Sequence, residues 1–203
     1  MTDRKQVLEQ FQKDIAQHQM TVHQDDGVCR RLRFGRPGTS TYSFTIVTFP
    51  GYLVYVGDMG EYVFQRLPDM FEFFRGKEIN PQYWAEKCVA AAGSGNGIYE
   101  FDEDQFATEI NEHMDAGEWP QDVRDEVESE VLCYGNDEHR AMIAVLDFSS
   151  RMEGGPDRRY EFRDLFEQTP HCHTHRFLWC CYALQWAIAT YDAAKAVPEG
   201  LAA

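Results

Sequence analysis

The spacing of hydrophobic positions changes near residue 67, and this change separates a strand-rich part of the chain from a helical part. Between residues 19 and 66, short runs of apolar and β-branched residues alternate with Asp-Gly and Pro-Gly turns. Such short connections join antiparallel neighbours, because parallel strands need long crossovers. The pattern predicts an N-terminal antiparallel β-meander of four to five strands.

Two of these strands differ in character. The strand over 29–34 mixes three apolar residues with three arginines, so we interpret it as an edge strand with one cationic face. The strand over 44–49 is partly apolar on both faces, which is typical of a central strand. The basic cluster comprises Arg30, Arg31, Arg33 and Arg36. We expect it to contact the protein's own acids or a second copy; phosphate binding is the alternative, which the overall negative field opposes.

Helical periodicity dominates from residue 68 to residue 195, and a polar first helix is predicted over 3–18. The predicted C-terminal helices cover 68–76, 81–93 with Gly93 as its C-cap, 103–116, 121–133, 137–149, and a last helix that begins between Thr169 and Thr174 and ends near Lys195. The simplest interpretation is a single α+β domain over residues 1–203, sheet-rich over 19–66 and mainly helical over 68–195.

Negative charge is concentrated in one short segment. Residues 100–138 contain 15 Asp and Glu but a single cation, Arg124, while the whole chain has a net charge of −15. The rest of the chain is therefore close to neutral. With 43% hydrophobic and 14% aromatic residues, the chain should fold, and its pI near 4.8 argues against an extended nucleic-acid or anionic-membrane surface.

The two acidic helices, over about 103–133, repeat one design. Each has three apolar residues spaced by four, which form a narrow buried seam and leave a broad acidic face. The two seams are Phe106, Ile110 and Met114, and Val123, Val127 and Val131. A helix of this kind docks through its seam and presents its carboxylates to solvent.

We predict that the outward carboxylates bind a basic partner surface, as DNA-mimic proteins do. The predicted partner-binding residues are Glu109, Glu112, Asp115, Glu118, Asp122, Asp125, Glu126 and Glu128. A solvated face that only aids solubility is the alternative interpretation. Carboxylate metal binding is disfavoured, because the segment lacks the ligand spacing and central glycine of an EF-hand loop.

A histidine cluster, HCHTH, offers a second kind of chemistry. His171 and His175 would share a helical face, and His171, His173 and His175 would share a face of an extended segment. A metal-dependent enzyme would need further ligands, such as Asp164, Glu167 or Cys180. The alternative is a polar segment ahead of a buried helix.

Other signals are weaker. The GSGNG run at 93–97 follows a predicted helix and lacks the rest of a phosphate-loop motif, so a turn is expected. The aromatic-rich junction of sheet and helices is most simply core, although a pocket for a small signalling nucleotide is an alternative. No catalytic motif, cofactor signature, secretory signal or membrane span is recognisable, and the six cysteines should be free thiols.

Several strings resemble a family of small uncharacterised proteins encoded by bacteriophages and prophages. They are HQMTVHQDDGVCRRLRFGRPGTSTYSF, GDMGEYVFQRLPDMFEFFR, INPQYW and THRFLWCCYALQWAI, and the similarity covers about residues 15–192. No catalytic residue carries over from this family. The resemblance implies an accessory protein that acts in the cytoplasm of a bacterial host, where small acidic phage proteins often inhibit host defence.

Together these observations favour a binding protein over an enzyme. The expected function is inhibition of a host nucleic-acid-handling defence complex, of the anti-CRISPR or anti-restriction type, through the acidic surface. We expect a basic protein or nucleoprotein partner, no direct binding of nucleic acid or membrane, no cofactor, and a possible homodimer.

Overall fold

Six antiparallel strands, arranged in the order in which they occur along the chain, form the main sheet. The structure is a computed structural model that describes residues 3–91, 97–151, 159–163, 165–166 and 169–196. The strands are β1 (Gln19–Asp26), β2 (Cys29–Gly35), β3 (Phe44–Phe49), β4 (Tyr52–Gly57), β5 (Gly60–Gln65) and β6 (Cys88–Ala91). A mostly helical half follows, which confirms the predicted α+β class with an N-terminal antiparallel meander.

The described chain divides into two compact units. The sheet unit contains the residues up to Ile98 together with those from His173 onward, and the helical unit contains Tyr99–Cys172. Each unit has its own cluster of buried hydrophobic side chains. The expectation of one domain over residues 1–203 stays a prediction.

In the sheet unit, one face of the sheet is covered by helices. These helices are α1 (Arg4–Asp14), α2 (Met70–Phe74), α3 (Pro81–Glu86) and α7 (His175–Ala196). The side chains beneath them are at most 1% exposed: Leu32, Phe34, Phe44, Ile46, Leu53, Tyr55, Tyr62 and Phe64. Each such side chain contributes about 1.5–3 kcal/mol through burial, so this face is the main stabilising element of the unit.

Helix α7 is the central helix of the sheet unit. The Thr174 hydroxyl accepts a hydrogen bond from the Phe177 N–H at 3.1 Å, so the helix begins just after the predicted range and extends to Ala196. Ten of its residues are buried, and the Trp179 indole donates to Asp14 of α1 at 3.0 Å. A helix that is apolar on most sides is typical of a buried position, as its sequence indicates.

The interpretation of β2 as an edge strand is wrong. β2 lies between β1 and β3 and alternates cleanly, with Arg30 on the buried face. Arg30 is 8% exposed, makes two bonds of 2.8 and 3.0 Å to the Asp69 carboxylate, and lies 4.5 Å over the Phe71 ring. A paired carboxylate and an aromatic face let this arginine occupy an apolar position, so the four arginines do not share one cationic face.

The predicted helix over 81–93 is wrong in its second half. Helix α3 ends at Glu86, and the next residues form β6, whose register places Ala90 opposite Val63 of β5. Alanine and valine are compatible with either structure, and pairing with the exposed edge of β5 decides the outcome. The proposed C-cap, Gly93, lies outside the described residues.

Over its described residues, the helical unit contains three α-helices and several short strands. Its helices are α4 (Glu103–Ala116), α5 (Gln121–Glu130) and α6 (Glu138–Asp147), with a 3₁₀ turn over Leu132–Tyr134. The short strands are β7 (Tyr99–Phe101), β8 (Ser150–Arg151), β9 (Arg159–Tyr160) and β10 (His171–His173), the last residue of which belongs to the sheet unit. β7 pairs with β10 and β8 with β9. The first acidic helix has the predicted bounds, and the second ends earlier than expected. Within the described ranges, no helix is both long enough and apolar enough to cross a membrane.

Candidate functional site

The net charge of the chain divides with the two compact units. Residues 99–172 contain 21 Asp and Glu and six Lys and Arg, which gives the helical unit a formal charge of −15. The remaining residues contain 13 acidic and 13 basic side chains, so the sheet unit is formally neutral. The helical unit therefore holds the whole net charge, and its acidic helices are the candidate site.

Helix α4 buries one narrow stripe and exposes the rest. Asp102, which is 2% exposed, caps the helix by accepting a hydrogen bond from the Gln105 N–H at 3.0 Å. Phe106, Ile110 and Met114 are at most 2% exposed, which confirms the first predicted seam. A seam with a spacing of four orients the remaining positions toward solvent.

Helix α5 follows the same plan over a shorter length. Val123, Val127 and Val131 are at most 1% exposed, which confirms the second seam. The helix starts after Pro120, which makes no side-chain cap, and its regular bonding ends at Glu130. Both seams enter one hydrophobic cluster, so α4 and α5 form part of the same compact body.

The connection between the two helices is tight and is closed by a tryptophan. The Trp119 N–H donates to the Met114 carbonyl at 3.0 Å, and the indole is 7% exposed. A Cβ at Gly117 would lie 2.4 Å from the indole Nε1, so only glycine fits beneath the ring. The indole packs against the rings of His113, Phe148, Tyr160 and Phe162.

Seven of the eight predicted partner-binding carboxylates are exposed, and Glu109 is half-buried. Glu109 and Asp125 each accept a hydrogen bond from a glutamine four residues earlier, Gln105 at 2.7 Å and Gln121 at 2.8 Å. These amides orient the carboxylates without cancelling their charge. Neither helix carries a lysine, so its acidic pairs have no i,i+4 lysine to neutralise them.

Arg124, the single cation between residues 100 and 138, serves the structure of the helical unit. Its Nη2 lies 2.7 Å from Asp115 Oδ1 on α4, and its Nε donates to the Trp119 carbonyl at 2.9 Å. The guanidinium thus joins α5 to α4 and to their connection. It pairs with one of the eight predicted partner-binding carboxylates, Asp115.

This arrangement suits electrostatic recognition. Dense carboxylates of one sign create a field of several kT near the surface, which attracts cationic groups and repels polyanions. Among the described residues, no group of three or more His, Cys, Asp and Glu side chains is placed to hold a metal ion. Exposed carboxylates at this density are able to form ion pairs with positive groups.

The three histidines of the HCHTH run have separate surroundings. His171 Nε2 lies 3.2 Å from Glu138 Oε1 in the helical unit. In the sheet unit, the His173 ring stacks on the Phe177 ring with 5.6 Å between the ring centroids. Burial, together with the charge of Arg4, lowers the pKa of His173. His175 is exposed at the start of α7. Two of the further ligands suggested by the sequence, Asp164 and Glu167, lie outside the described residues.

The aromatic residues suggested for a ligand pocket are mostly core. Phe71, Phe74, Trp84 and Trp179 are at most 4% exposed and belong to the sheet unit's hydrophobic cluster. The nearby arginine, Arg30, is bound to Asp69. Of the GSGNG run, only Gly97 is described, and its carbonyl accepts a hydrogen bond from the Thr174 hydroxyl at 2.8 Å.

Sequence reasoning missed two residues that shape the site. An aspartate immediately before a predicted helix is a cap signal, so the position of Asp102 is sufficient to predict its role. Trp119 was not assigned a role, although a tryptophan in a four-residue connection between amphipathic helices is a candidate for packing across both. Burial of these two residues positions both helices.

No family model, curated protein or solved structure matches this chain. The resemblance to phage and prophage proteins therefore stays a prediction.

Proposed function

We propose that this protein is a bacteriophage accessory protein, acting in the bacterial cytoplasm, that binds and inhibits a host nucleic-acid-handling defence complex of the anti-CRISPR or anti-restriction type. The acidic face of α4 and α5 occupies a Lys/Arg surface that otherwise holds nucleic acid. The observation that carries the proposal is the segregation of charge, −15 on the helical unit against zero on the sheet unit.

The spacing of the carboxylates supports mimicry of a nucleic acid. Side chains three or four positions apart on a helix lie about 5–6 Å from each other, a separation of the same order as the phosphate spacing of DNA. On α5, Asp122, Asp125, Glu126 and Glu128 include three such pairs. A partner whose groove fits a row of phosphates meets a comparable row of negative charge here.

The cost of this arrangement also favours a function. Like charges at i,i+3 and i,i+4 destabilise a helix by a few tenths of a kcal/mol per pair. Lysine at some of these positions would relieve that cost and keep the surface soluble, yet α4 and α5 contain none. A face that only maintained solubility would not require lysine to be excluded.

The negative charge of the acidic face restricts which partners the protein can bind. The same field that attracts a basic protein surface repels nucleic acid, so the partner is a protein or a nucleoprotein complex with an unoccupied basic groove. Binding weakens with salt because exposed charges are screened beyond about 8 Å at physiological ionic strength. Added duplex DNA competes, because it occupies the same groove.

Capture from a host lysate tests the proposal. Immobilised protein should retain a nucleic-acid-handling complex at about 50 mM salt and lose it at about 500 mM, with the Debye length falling about threefold. An excess of a duplex oligonucleotide should release the same complex. If DNA releases nothing, or if retention is insensitive to salt, the protein does not act through nucleic-acid mimicry.

A further inference from the structure

The outer face of the main sheet, which points away from the covering helices of the sheet unit, carries an apolar surface. Strand register places Val47, Val54, Val63 and Ala90 opposite one another on β3, β4, β5 and β6. Residues directly opposite in an antiparallel sheet share a face, and these alternate with the buried side chains of the inner face. They form one continuous apolar row across four strands.

Two further rows flank the first. One contains Phe49 and Tyr52, whose rings stack at 5.0 Å. The other contains Thr45 and Val56. Phe49 is 42% exposed and Val56 is 44% exposed, in contrast to the inner-face residues Ile46 and Leu53, which are 0% exposed. Contiguous exposed apolar area of this kind marks an interaction surface.

Opposite charges flank the Thr45 and Val56 pair within its row. Arg33 on β2 is opposite Thr45, and Glu61 on β5 is opposite Val56, so both belong to this row. Both are exposed and are separated by three strand spacings, about 14 Å. Among the described residues, Glu61 forms no ion pair, and Arg33 reaches only the Ser43 hydroxyl at 3.5 Å.

We propose that two copies of this chain pair through this outer sheet face, with Arg33 of each copy against Glu61 of the other. A two-fold axis parallel to the strands, between β3 and β4, exchanges β2 with β5 and keeps each residue in its row. Arg33 of one copy then lies over Glu61 of the second copy. The same operation sets Val54 over Val47 and Phe49 over Tyr52.

The dimensions of packed sheets agree with this pairing. Two sheets pack face to face at about 10 Å, with strands rotated by about 30° because each sheet is twisted. An arginine and a glutamate side chain together span that gap. Because this contact is isologous, each copy contributes one Arg33 and one Glu61, and two ion pairs form across the interface.

The area of the outer sheet face determines how tightly we expect the two copies to bind each other. Under this operation strands β1 to β6 face the same strands of the second copy and span about 24 Å; six residues extend about 20 Å, so each copy offers a footprint of about 480 Å². This area belongs to the small, transient class of interfaces. We therefore expect a dimer that dissociates in the micromolar range and not a permanent one.

Charge exchange tests the pairing by sedimentation over about 1–100 µM protein at about 150 mM salt. Wild type should shift from monomer to dimer across this range. Arg33→Glu and Glu61→Arg should each weaken the dimer at least about tenfold, because each sets like charges together at two places. The double variant Arg33→Glu/Glu61→Arg should restore it.

Lys5→Glu with Glu9→Arg makes the same charge exchange on α1, which covers the other face of the sheet, and should leave the dimer unchanged. Circular dichroism and thermal unfolding establish that each variant is folded. A wild type that stays monomeric at about 100 µM overturns the proposal. So does a dimer whose strength is unchanged by the single reversals, or one that the double variant fails to restore.

Discussion

Arg124 on α5 reaches Asp115 on α4, with 2.7 Å between Nη2 and Oδ1. The same guanidinium donates from Nε to the Trp119 carbonyl in the connection between the helices. One cation therefore connects the two acidic helices to each other and to the segment between them. Contacts within the helical unit therefore stabilise the position of the acidic face.

Replacing Arg124 by glutamine should lower the free energy of unfolding by about 1 kcal/mol, because an ion pair and a charge-assisted hydrogen bond are lost. It should not weaken binding to a basic partner, since the face becomes more negative. Chemical denaturation and binding measurements check the two effects. Arg140→Gln is the matched control: it removes an exposed i,i+3 pair with Asp137 and should change stability by less than about 0.5 kcal/mol.

Gly117→Ala should destabilise the protein by more than about 1 kcal/mol, because the new Cβ would lie 2.4 Å from the Trp119 indole. The ring must then leave its position among the aromatic side chains of the helical unit. Tryptophan fluorescence during thermal unfolding measures the change. Gly76→Ala is the control, since its Cβ would lie 3.6 Å from the Glu78 carbonyl, an ordinary contact. Equal stabilities of the two variants would contradict the packing described for Trp119.

Much of the helical unit could be predicted from sequence because its helices obey a simple period. Six seam residues at a spacing of four specify which side is buried, and the structure agrees at all six. The approximate position of the acidic segment along the chain could also be predicted from the sequence. The division into a charged and a neutral unit could not, because it depends on the chain returning to the sheet unit after Cys172.

The two wrong predictions of secondary structure, for β2 and for the segment after Glu86, have a common physical cause. Arg30 appeared to break the alternation of β2, because nothing local indicates that Asp69, 39 residues later, would neutralise it. The segment after Glu86 has helix-compatible residues, yet it forms β6 because β5 offers unpaired backbone groups. In both cases a distant partner overrides the local preference.

Asp69 should contribute to acid sensitivity. Burial opposes ionisation, but hydrogen bonds from Arg30 and from the Phe71 N–H outweigh it, so the Asp69 pKa lies below its ordinary value of 3.8. A carboxyl whose pKa is lower in the folded state stabilises the protein above its unfolded pKa, and this contribution is lost as pH falls through the folded pKa. Asp69→Asn should therefore be less stable at pH 7, by a margin that shrinks below about pH 4.

Urea denaturation of wild type and Asp69→Asn between pH 7 and pH 3 measures this margin. Asparagine can still accept the Phe71 N–H, so the comparison isolates the charge of the pair with Arg30. A margin that stays constant over the whole range would show that the ionised carboxylate makes no such contribution.

Thiol reactivity should differ sharply along the chain, because all six cysteines are free and their exposures differ. Burial raises the pKa of Cys180 to about 12 and also raises that of Cys181, so neither forms a reactive thiolate near neutral pH. Cys133 is exposed. Alkylation of the native protein, followed by peptide mass spectrometry, should label Cys133 first and label the buried pair only after denaturation.

Inhibition of defence in host cells tests most directly whether the acidic face of the helical unit is the inhibitory surface. The measurement is the efficiency of phage infection or plasmid transfer against a panel of host defence systems, with the wild type or a variant expressed. The test variant carries Glu112→Lys, Glu118→Lys, Glu126→Lys and Glu128→Lys, four exposed positions on the acidic face or its connection. The control carries Glu9→Lys, Glu72→Lys, Glu78→Lys and Glu86→Lys in the sheet unit, with the same change in total charge. We predict that the wild type and the control inhibit at least one defence system and that the test variant, although folded, does not; equal inhibition by the test variant and the wild type would contradict the account.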